Sequence, residues 1–200
     1  MSAPWSAIGV PIDSVGRAGG TEHAPAAMRE HDLPARLGAE DRGDLDVRIH
    51  GEERDRATGV IGIADTLATT RAVRAAVRDV VADGRRPLAL GGCCALVPGA
   101  LAGLRDAVGA LGMAYVDGHV DVYDGTTSPT GEGADMPMSD AFGRGPDVVE
   151  PDDAVHHTGR RRRLAFQLHA EFGEERFGTL EVVDNDENVV HPLNRHIPRA

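Results

Sequence analysis

Short apolar runs alternate with helical stretches along the first two thirds of the chain. Runs at residues 6–10, 87–90 and 113–116 carry few polar side chains and do not alternate polar with apolar residues. Continuous apolar strands of this kind are typical of a parallel sheet with both faces covered by helices. The clearest helix spans residues 66–82, where Val73, Val77 and Val80 share one face. We therefore predict an α/β fold of three layers, α/β/α, around a mainly parallel sheet.

Weaker signals complete this pattern. Pro25 stands where the first turn of a helix tolerates proline, residues 45–49 suggest another strand, and residues 98–108 suggest another helix. The pattern stops near residue 147. We predict an α/β domain over residues 1–147 and a divergent segment over 148–200, whose packing on the same domain is open. Within that segment, residues 179–192 resemble a hairpin.

Charge and length exclude several classes of function. The 200 residues suit a single domain, and a formal net charge of −11 disfavours nucleic acid and anionic membranes while attracting cations. The basic run Arg160-Arg161-Arg162-Arg163 has no interleaved aromatic residues, so a solvated surface is the favoured interpretation. No apolar run is long enough to span a membrane, and the first residues do not resemble a secretion signal. We expect a cytoplasmic protein.

A cluster of metal-binding residue types follows the third apolar run. Asp117, His119 and Asp121 occur at every second position, so an extended backbone would point them to one side. Two carboxylates and an imidazole suit Mn, Fe or Zn, and a bound cation can activate water for hydrolysis. The alternative is that these residues only solvate a loop or cap a helix. The triplet alone does not decide between the two.

A second candidate ligand follows the preceding strand. Cys93 and Cys94 come after the turn Gly91-Gly92, and adjacent residues form an ordinary disulfide poorly. Because neighbouring parallel strands are only about 4.8 Å apart, Cys94 can reach the same end of the sheet as the Asp and His cluster. The alternative is that both cysteines are small buried apolar residues.

Five segments follow one another within about residues 6–147, at residues 8–14, 20–29, 90–94, 117–121 and 128–137. Together they resemble the ureohydrolase family of arginase, agmatinase and formiminoglutamase. Residues 8–14 resemble its first strand and substrate-side loop, and residues 20–29 resemble its G-x-x-x-G-P-x-x-[LM]-R entry to the first helix. Leu90 to Cys94 stands where the family has L-G-G-D-H. Asp117 to Asp121 stands where it has D-A-H-x-D, and residues 128–137 resemble the arginase loop S-x-S-G-N-x-H-G-M-P.

The resemblance implies an arginase-like fold, incomplete at the C-terminus, and a centre of two Mn ions. It implies that Asp117 bridges the metals, that His119 binds one of them, and that Asp121 binds the other together with the residue at position 94. It also implies hydrolysis of a C–N bond in a small guanidino or amidine compound, which the negative charge suggests is cationic. A homo-oligomer is expected from the same resemblance.

Several positions depart from the family pattern. Cys94 replaces an imidazole ligand, and a thiolate favours Zn or Fe over Mn. Ala134 replaces a histidine that shuttles protons in arginases and cannot perform acid–base chemistry. Glu132 and Asp135 could replace that base or hold a cationic substrate, although a solvated acidic loop is the alternative. The family's second aspartate motif is not evident, because Asp184-Asn185-Asp186 follows Asp121 too soon and is better interpreted as a turn.

Two functions follow from these observations. The first is a metal-dependent C–N hydrolase with Cys94, Asp117, His119 and Asp121 as metal ligands and Asp117, Glu132 and Asp135 as catalytic residues. The alternative is a catalytically impaired relative that acts as a binding or subunit-interaction protein. Its motivation is the substitutions at positions 94 and 134 together with the missing aspartate motif.

Overall fold

The computed structural model describes residues 3–141 and 143, together with the backbone of residues 164–166 and 180–182. The chain divides into two units. The first contains Met1–Met113 and Val120–His156, and the second contains Ala114–His119 and His157–Ala200. The domain boundary at residue 147 stays a prediction.

A three-stranded parallel sheet forms the centre of the first unit. Strand β1 (Trp5–Val10) lies between β2 (Glu40–Asp44) and β3 (Arg86–Gly91), and both pairings are parallel. Every residue of β1 after Trp5 is buried. Because successive side chains of a strand point to opposite faces, both faces of β1 are covered. The prediction of a mainly parallel sheet is confirmed, and its central strand is buried.

Helices cover the two faces of β1. A Cβ atom added at Gly9 would lie 3.0 Å from Nη2 of Arg29, which belongs to helix α1 (Ala24–Glu30). The neighbouring Val10 points the other way and joins a core cluster with Val73 and Val77 of helix α3 (Ile63–Ala82). The sheet therefore has a helix on each side, as the three-layer prediction requires.

Two long helices of the first unit pack directly on each other. They are α3 and α4 (Val97–Val108), close to the predicted ranges 66–82 and 98–108. On the outer side of their contact, Nε of Arg74 lies 2.6 Å from Oδ2 of Asp106. Among the described helices, none combines the length and the apolar character that crossing a membrane requires.

Two short helices complete the first unit. Helix α2 (Leu33–Arg36) leads towards β2, and helix α5 (Pro137–Ala141) packs through Ala141 against Leu101 and Ala102 of α4. Helix α5 begins at Pro137, the last residue of the segment 128–137 that resembles an arginase loop. That loop is thereby anchored to the body of the fold.

Two predicted strands are wrong. The strand expected at residues 45–49 is β2 at Glu40–Asp44, whose polar side chains are mostly exposed. Val47 and Ile49 are buried but lie in an irregular segment outside the strand. Their apolar character therefore reflects burial and not strand structure. Residues 113–116 form no strand, and Val116 is 96% exposed.

The second unit contains a small antiparallel pair. Strand β4 (Leu164–Phe166) pairs with β5 (Leu180–Val182), so the partner of β5 precedes it in the chain. The predicted turn at Asp184 to Asp186 lies outside the described residues. The same holds for the basic run at residues 160–163.

The contact between α3 and α4 depends on two glycines of α4. A Cβ atom at Gly99 would lie 2.6 Å from the carbonyl oxygen of Thr70, and one at Gly103 would lie 2.5 Å from that of Arg74. We expect Gly103→Ala to destabilise the protein, because overpacking costs about 1–3 kcal/mol while the gain in helix propensity is at most about 1 kcal/mol. Urea unfolding measures the difference. Gly112→Ala is the control, because no atom of the part of the chain that the structure describes lies within 4 Å of a Cβ at that site. Equal stability of the two variants would contradict the interpretation.

The buried carboxyl of Asp140 on α5 makes stability depend on pH. Burial raises the pKa of Asp140 from 3.8 to about 6, and its Oδ1 atom has no hydrogen-bond partner among the described residues. The folded chain therefore holds this proton more tightly than the unfolded chain. The resulting stabilisation is complete below about pH 4 and is lost as the pH rises through 6.

We expect Asp140→Asn to remove this pH dependence. Between pH 4 and pH 7 the wild type should lose on the order of 2–3 kcal/mol of unfolding free energy relative to the variant. Denaturant unfolding at several pH values measures this loss. The exposed Asp46 provides the control variant Asp46→Asn, which should follow the wild type. If the unfolding free energies of Asp140→Asn and the wild type changed equally with pH, the proposed contribution of Asp140 would be excluded.

Candidate metal centre

A glycine turn at the end of β3 brings position 94 beside the end of β1. The amide N–H of Gly92 donates to the carbonyl oxygen of Val10 at 2.9 Å. A Cβ atom at Gly92 would lie 1.8 Å from the carbonyl oxygen of Ile12, and one at Gly91 would lie 2.2 Å from Cδ2 of Leu96. Position 92 has no room for a side chain, because backbone atoms of Ile12 occupy the space, whereas at position 91 only the flexible end of Leu96 would have to shift. The chain therefore passes closely over the segment that follows β1 before it turns into the following helix.

The two cysteines after this turn have different surroundings. Cys93 is extended and packs against the core cluster that contains Val10 and Val73. Cys94 begins the short 3₁₀ helix Cys94–Leu96, which leads into α4, and its thiol belongs to a group of potential metal ligands. Neither cysteine forms a disulfide bond. The interpretation as a small apolar core residue therefore fits Cys93, and Cys94 is the one available to a metal.

Asp121 lies close to Cys94 within the first unit. One of its carboxylate oxygens lies within 4.8 Å of Sγ of Cys94, and the residue is only 7% exposed. Its φ angle of 52° is in the left-handed region, which Asp and Asn enter more readily than most residues. Its carbonyl oxygen accepts a hydrogen bond of 3.0 Å from the N–H of Met138. Backbone conformation and burial thus fix the carboxylate in place.

Asp117 and His119 belong to the second unit. The N–H of His119 donates to Oδ1 of Asp117 at 2.9 Å, and Nδ1 of the ring lies 3.7 Å from the same oxygen. The His119 side chain is 88% exposed, whereas that of Asp117 is 25% exposed. The carboxylate of Asp117 is therefore the more enclosed of these two predicted ligands.

Asp135 organises the loop before α5. Its Oδ2 atom accepts hydrogen bonds from the hydroxyls of Ser128, at 2.8 Å, and Thr130, at 2.6 Å. The hydroxyl oxygen of Ser128 in turn accepts the N–H of Gly131 at 2.8 Å. These bonds join both ends of the loop, so the structure gives Asp135 a role in holding the loop's shape.

Glu132 has a different environment in the same loop. Partial burial raises the pKa of its carboxyl, the nearby charges of Asp135 and Asp13 raise it further, and Arg17 lowers it. Asp13 is held by the N–H groups of Val15, at 3.0 Å, and Thr21, at 2.9 Å. Glu132 thus lies in a negative environment, where it holds a proton to higher pH than an exposed glutamate and attracts cations.

Sequence reasoning missed two residues that hold this loop. The guanidinium of Arg54 donates to the carbonyl oxygens of Gly125, at 3.3 Å, and Ser128, at 3.0 Å. The hydroxyl oxygen of Ser14 accepts the N–H of Ala134 at 3.2 Å. Ser14 lies in a segment that matches the family pattern, which could have identified it. Arg54 lies in an irregular segment without any such signal.

Cys94 and Asp121 can contribute to a divalent metal site. Thiolate and carboxylate are both anionic when they bind metal, and together they suit zinc or iron. Manganese prefers oxygen and nitrogen donors, so the sulfur at position 94 does not match it well. The donor types therefore fit a divalent cation but not manganese in particular.

Comparisons with known proteins match this chain to arginases. The model of the arginase family matches residues 3–194. Arginase from Bacillus caldovelox is 34% identical over 151 residues, covering 71% of this chain and 50% of that protein. Arginase from Brevibacillus brevis is 32% identical over 155 residues, covering 72% of this chain and 50% of that protein.

Solved structures give the same result for the fold. The structure of B. caldovelox arginase superposes with a TM-score of 0.63 at 32% identity, covering 72% of this chain and 50% of that one. The chain thus spans about half the length of the relatives that it matches. Because the family model covers nearly the whole sequence, this chain belongs to the arginase family.

Proposed function

We propose that this protein is a metal-dependent hydrolase of a guanidino or linear amidine C–N bond in a small molecule. The observation that carries the proposal is the pairing of Sγ of Cys94 with the buried carboxylate of Asp121. It occurs in a chain of the arginase family, at the two positions where the family pattern has metal ligands. The matched arginases support hydrolysis as the reaction class.

The proposed metal ligands are Cys94, Asp117, His119 and Asp121. The short distance within the first unit supports Cys94 and Asp121. The D-x-H-x-D pattern supports Asp117 and His119, since Asp117 precedes Asp121 by only four residues. A bound divalent cation would supply the Lewis acidity that activates water near neutral pH.

The proposed proton carrier is Glu132, in the loop at residues 128–137. A carboxyl whose pKa is raised exchanges protons closer to neutral pH than an ordinary glutamate does, which makes it a better acid–base group. Glu132 meets this condition and lies two residues before Ala134, which cannot carry a proton. Asp135 is proposed to act indirectly, by holding the loop through its two hydroxyl partners.

The substrate is proposed to be small and cationic. A net charge of −11 and the carboxylates around Glu132 favour a positively charged guanidinium or amidinium group. A cytoplasmic location and a homo-oligomeric state are further proposals that rest on the family resemblance. The domain boundary at residue 147 is also a proposal, and it rests on the same family resemblance.

Hydrolysis should require both the metal and Asp121. Metal-free protein, reconstituted separately with zinc, iron(II) or manganese, is incubated with a panel of guanidino and formimino compounds while urea and ammonia are measured. We expect at least one compound to be hydrolysed, and we expect Asp121→Asn to lower kcat/KM by at least about a hundredfold through loss of a ligand charge. Asparagine tolerates the left-handed backbone of position 121, so the variant should fold.

The exposed Asp46 supplies the control, since Asp46→Asn should leave kcat/KM unchanged. If the folded protein hydrolyses no member of the panel with any metal, the proposed activity is wrong. The catalytically impaired relative would then be the better description.

Replacing Glu132 with glutamine should show whether this residue transfers protons or only supports the structure of the loop. We expect Glu132→Gln to lower kcat by about 10²–10⁴-fold and to remove one limb of the pH–rate profile, because glutamine cannot transfer a proton. Stability at neutral pH should not fall, since the raised pKa means that the charged form is disfavoured in the folded protein. Glu53→Gln, at an exposed position, is the matched control. An unchanged pH–rate profile for Glu132→Gln would refute this role.

A further inference from the structure

The chemistry at position 94 differs from that of every other proposed ligand. Asp117, His119 and Asp121 offer oxygen or nitrogen, which many divalent metals accept, whereas Cys94 offers sulfur. Its Sγ atom lies within 4.8 Å of a carboxylate oxygen of Asp121. For one tetrahedral zinc ion, a sulfur and an oxygen ligand would lie about 3.6 Å apart, given Zn–S and Zn–O bonds of about 2.3 and 2.1 Å. A small side-chain movement is enough to reach that separation.

The local backbone directs one thiol, and only one, towards this group. Cys93 packs against the core cluster of the sheet and α3, while Cys94 starts the 3₁₀ helix and joins the ligand group with Asp121. The two thiols differ in position by a single residue and share the same flanking glycine turn. Cys93 therefore provides an internal control for any property assigned to Cys94.

We infer that Cys94 supplies a thiolate ligand, and that this ligand makes the site select zinc over manganese more strongly than a site with imidazole at this position. The inference rests on the metal site of the proposed function and specifies the metal it takes. A thiolate is a soft donor that favours zinc, whereas manganese binds best to oxygen and nitrogen donors. The deprotonated thiol also adds a negative charge that neutral imidazole lacks.

Zinc affinity alone would not test this inference. Nitrogen, oxygen and sulfur sites in general bind zinc more tightly than manganese, so a preference for zinc in the wild type is expected anyway. The informative quantity is the ratio of zinc to manganese affinity, compared between the wild type and Cys94→His. This variant restores the residue of the family pattern and provides the reference site.

Competition dialysis of metal-free protein against zinc and manganese measures this ratio. We expect Cys94→His to reduce the ratio of zinc to manganese affinity by at least tenfold. Cys93→Ser should leave the ratio unchanged. A ratio that is the same in Cys94→His and in the wild type would overturn the inference.

Cobalt(II) provides a direct spectroscopic test of the sulfur–metal bond. A thiolate bound to cobalt(II) gives an intense charge-transfer band in the near ultraviolet, which oxygen and nitrogen ligands do not give. We expect this band in the cobalt-loaded wild type and in Cys93→Ser, and we expect its loss in Cys94→Ser. Circular dichroism of the metal-free variants shows that each is folded.

The outcomes distinguish the inference from the proposed activity. Cobalt binding without the band, or a band that persists in Cys94→Ser, would overturn the thiolate ligand whether or not the protein is a hydrolase. A Cys94-dependent band in a protein that hydrolyses no substrate would support the thiolate ligand while contradicting the activity. Failure to bind any metal would overturn both.

Discussion

The close passage of the chain at Gly92 over the end of β1 is the constraint on which the candidate site depends. A side chain at position 92 would collide with the backbone of Ile12, and the N–H of the same residue is bonded to Val10. This contact ties the end of β3 to the end of β1. It also fixes the rotation of the chain that follows, so that Cys93 enters the core and Cys94 meets Asp121. The placement of these two candidate metal ligands at this end of the sheet is therefore a consequence of backbone packing.

Much of the fold could be predicted from the sequence because its strongest signals coincide with buried elements. Strands β1 and β3 and helices α3 and α4 all bury apolar side chains, and burial is what hydrophobic patterns report. Strand β2 escaped prediction because its residues are Glu, Asp, Arg and Gly, held at the edge of the sheet by backbone pairing. The guanidinium of Arg29, whose Nε lies 2.7 Å from Oδ2 of Asp41, supports it from α1. No apolar pattern reveals a strand of that kind.

The candidate site shows the same division between what a local pattern reports and what it cannot. Cys94 and Asp121 could be identified from motif order, since each follows a recognisable segment. The distinct roles of Asp135 and Glu132 could not, because they depend on which carboxylate meets the hydroxyls of Ser128 and Thr130. Arg54 bonds to backbone carbonyls more than seventy residues away in sequence. Every residue has a backbone carbonyl group, so the sequence does not show which carbonyl groups will accept hydrogen bonds from Arg54.

The left-handed backbone of Asp121 limits how this site can change during evolution. Most side chains are strained at a φ angle of 52°, and glycine, asparagine and aspartate are the residues that enter this region most easily. Glycine would remove the ligand, and asparagine would keep only a weak neutral oxygen, so a new ligand type is not easily introduced here. Position 94 begins a short helical turn and has no such restriction. A change of metal ligand is therefore easier at position 94, which is one of the positions where this sequence departs from the pattern of its family.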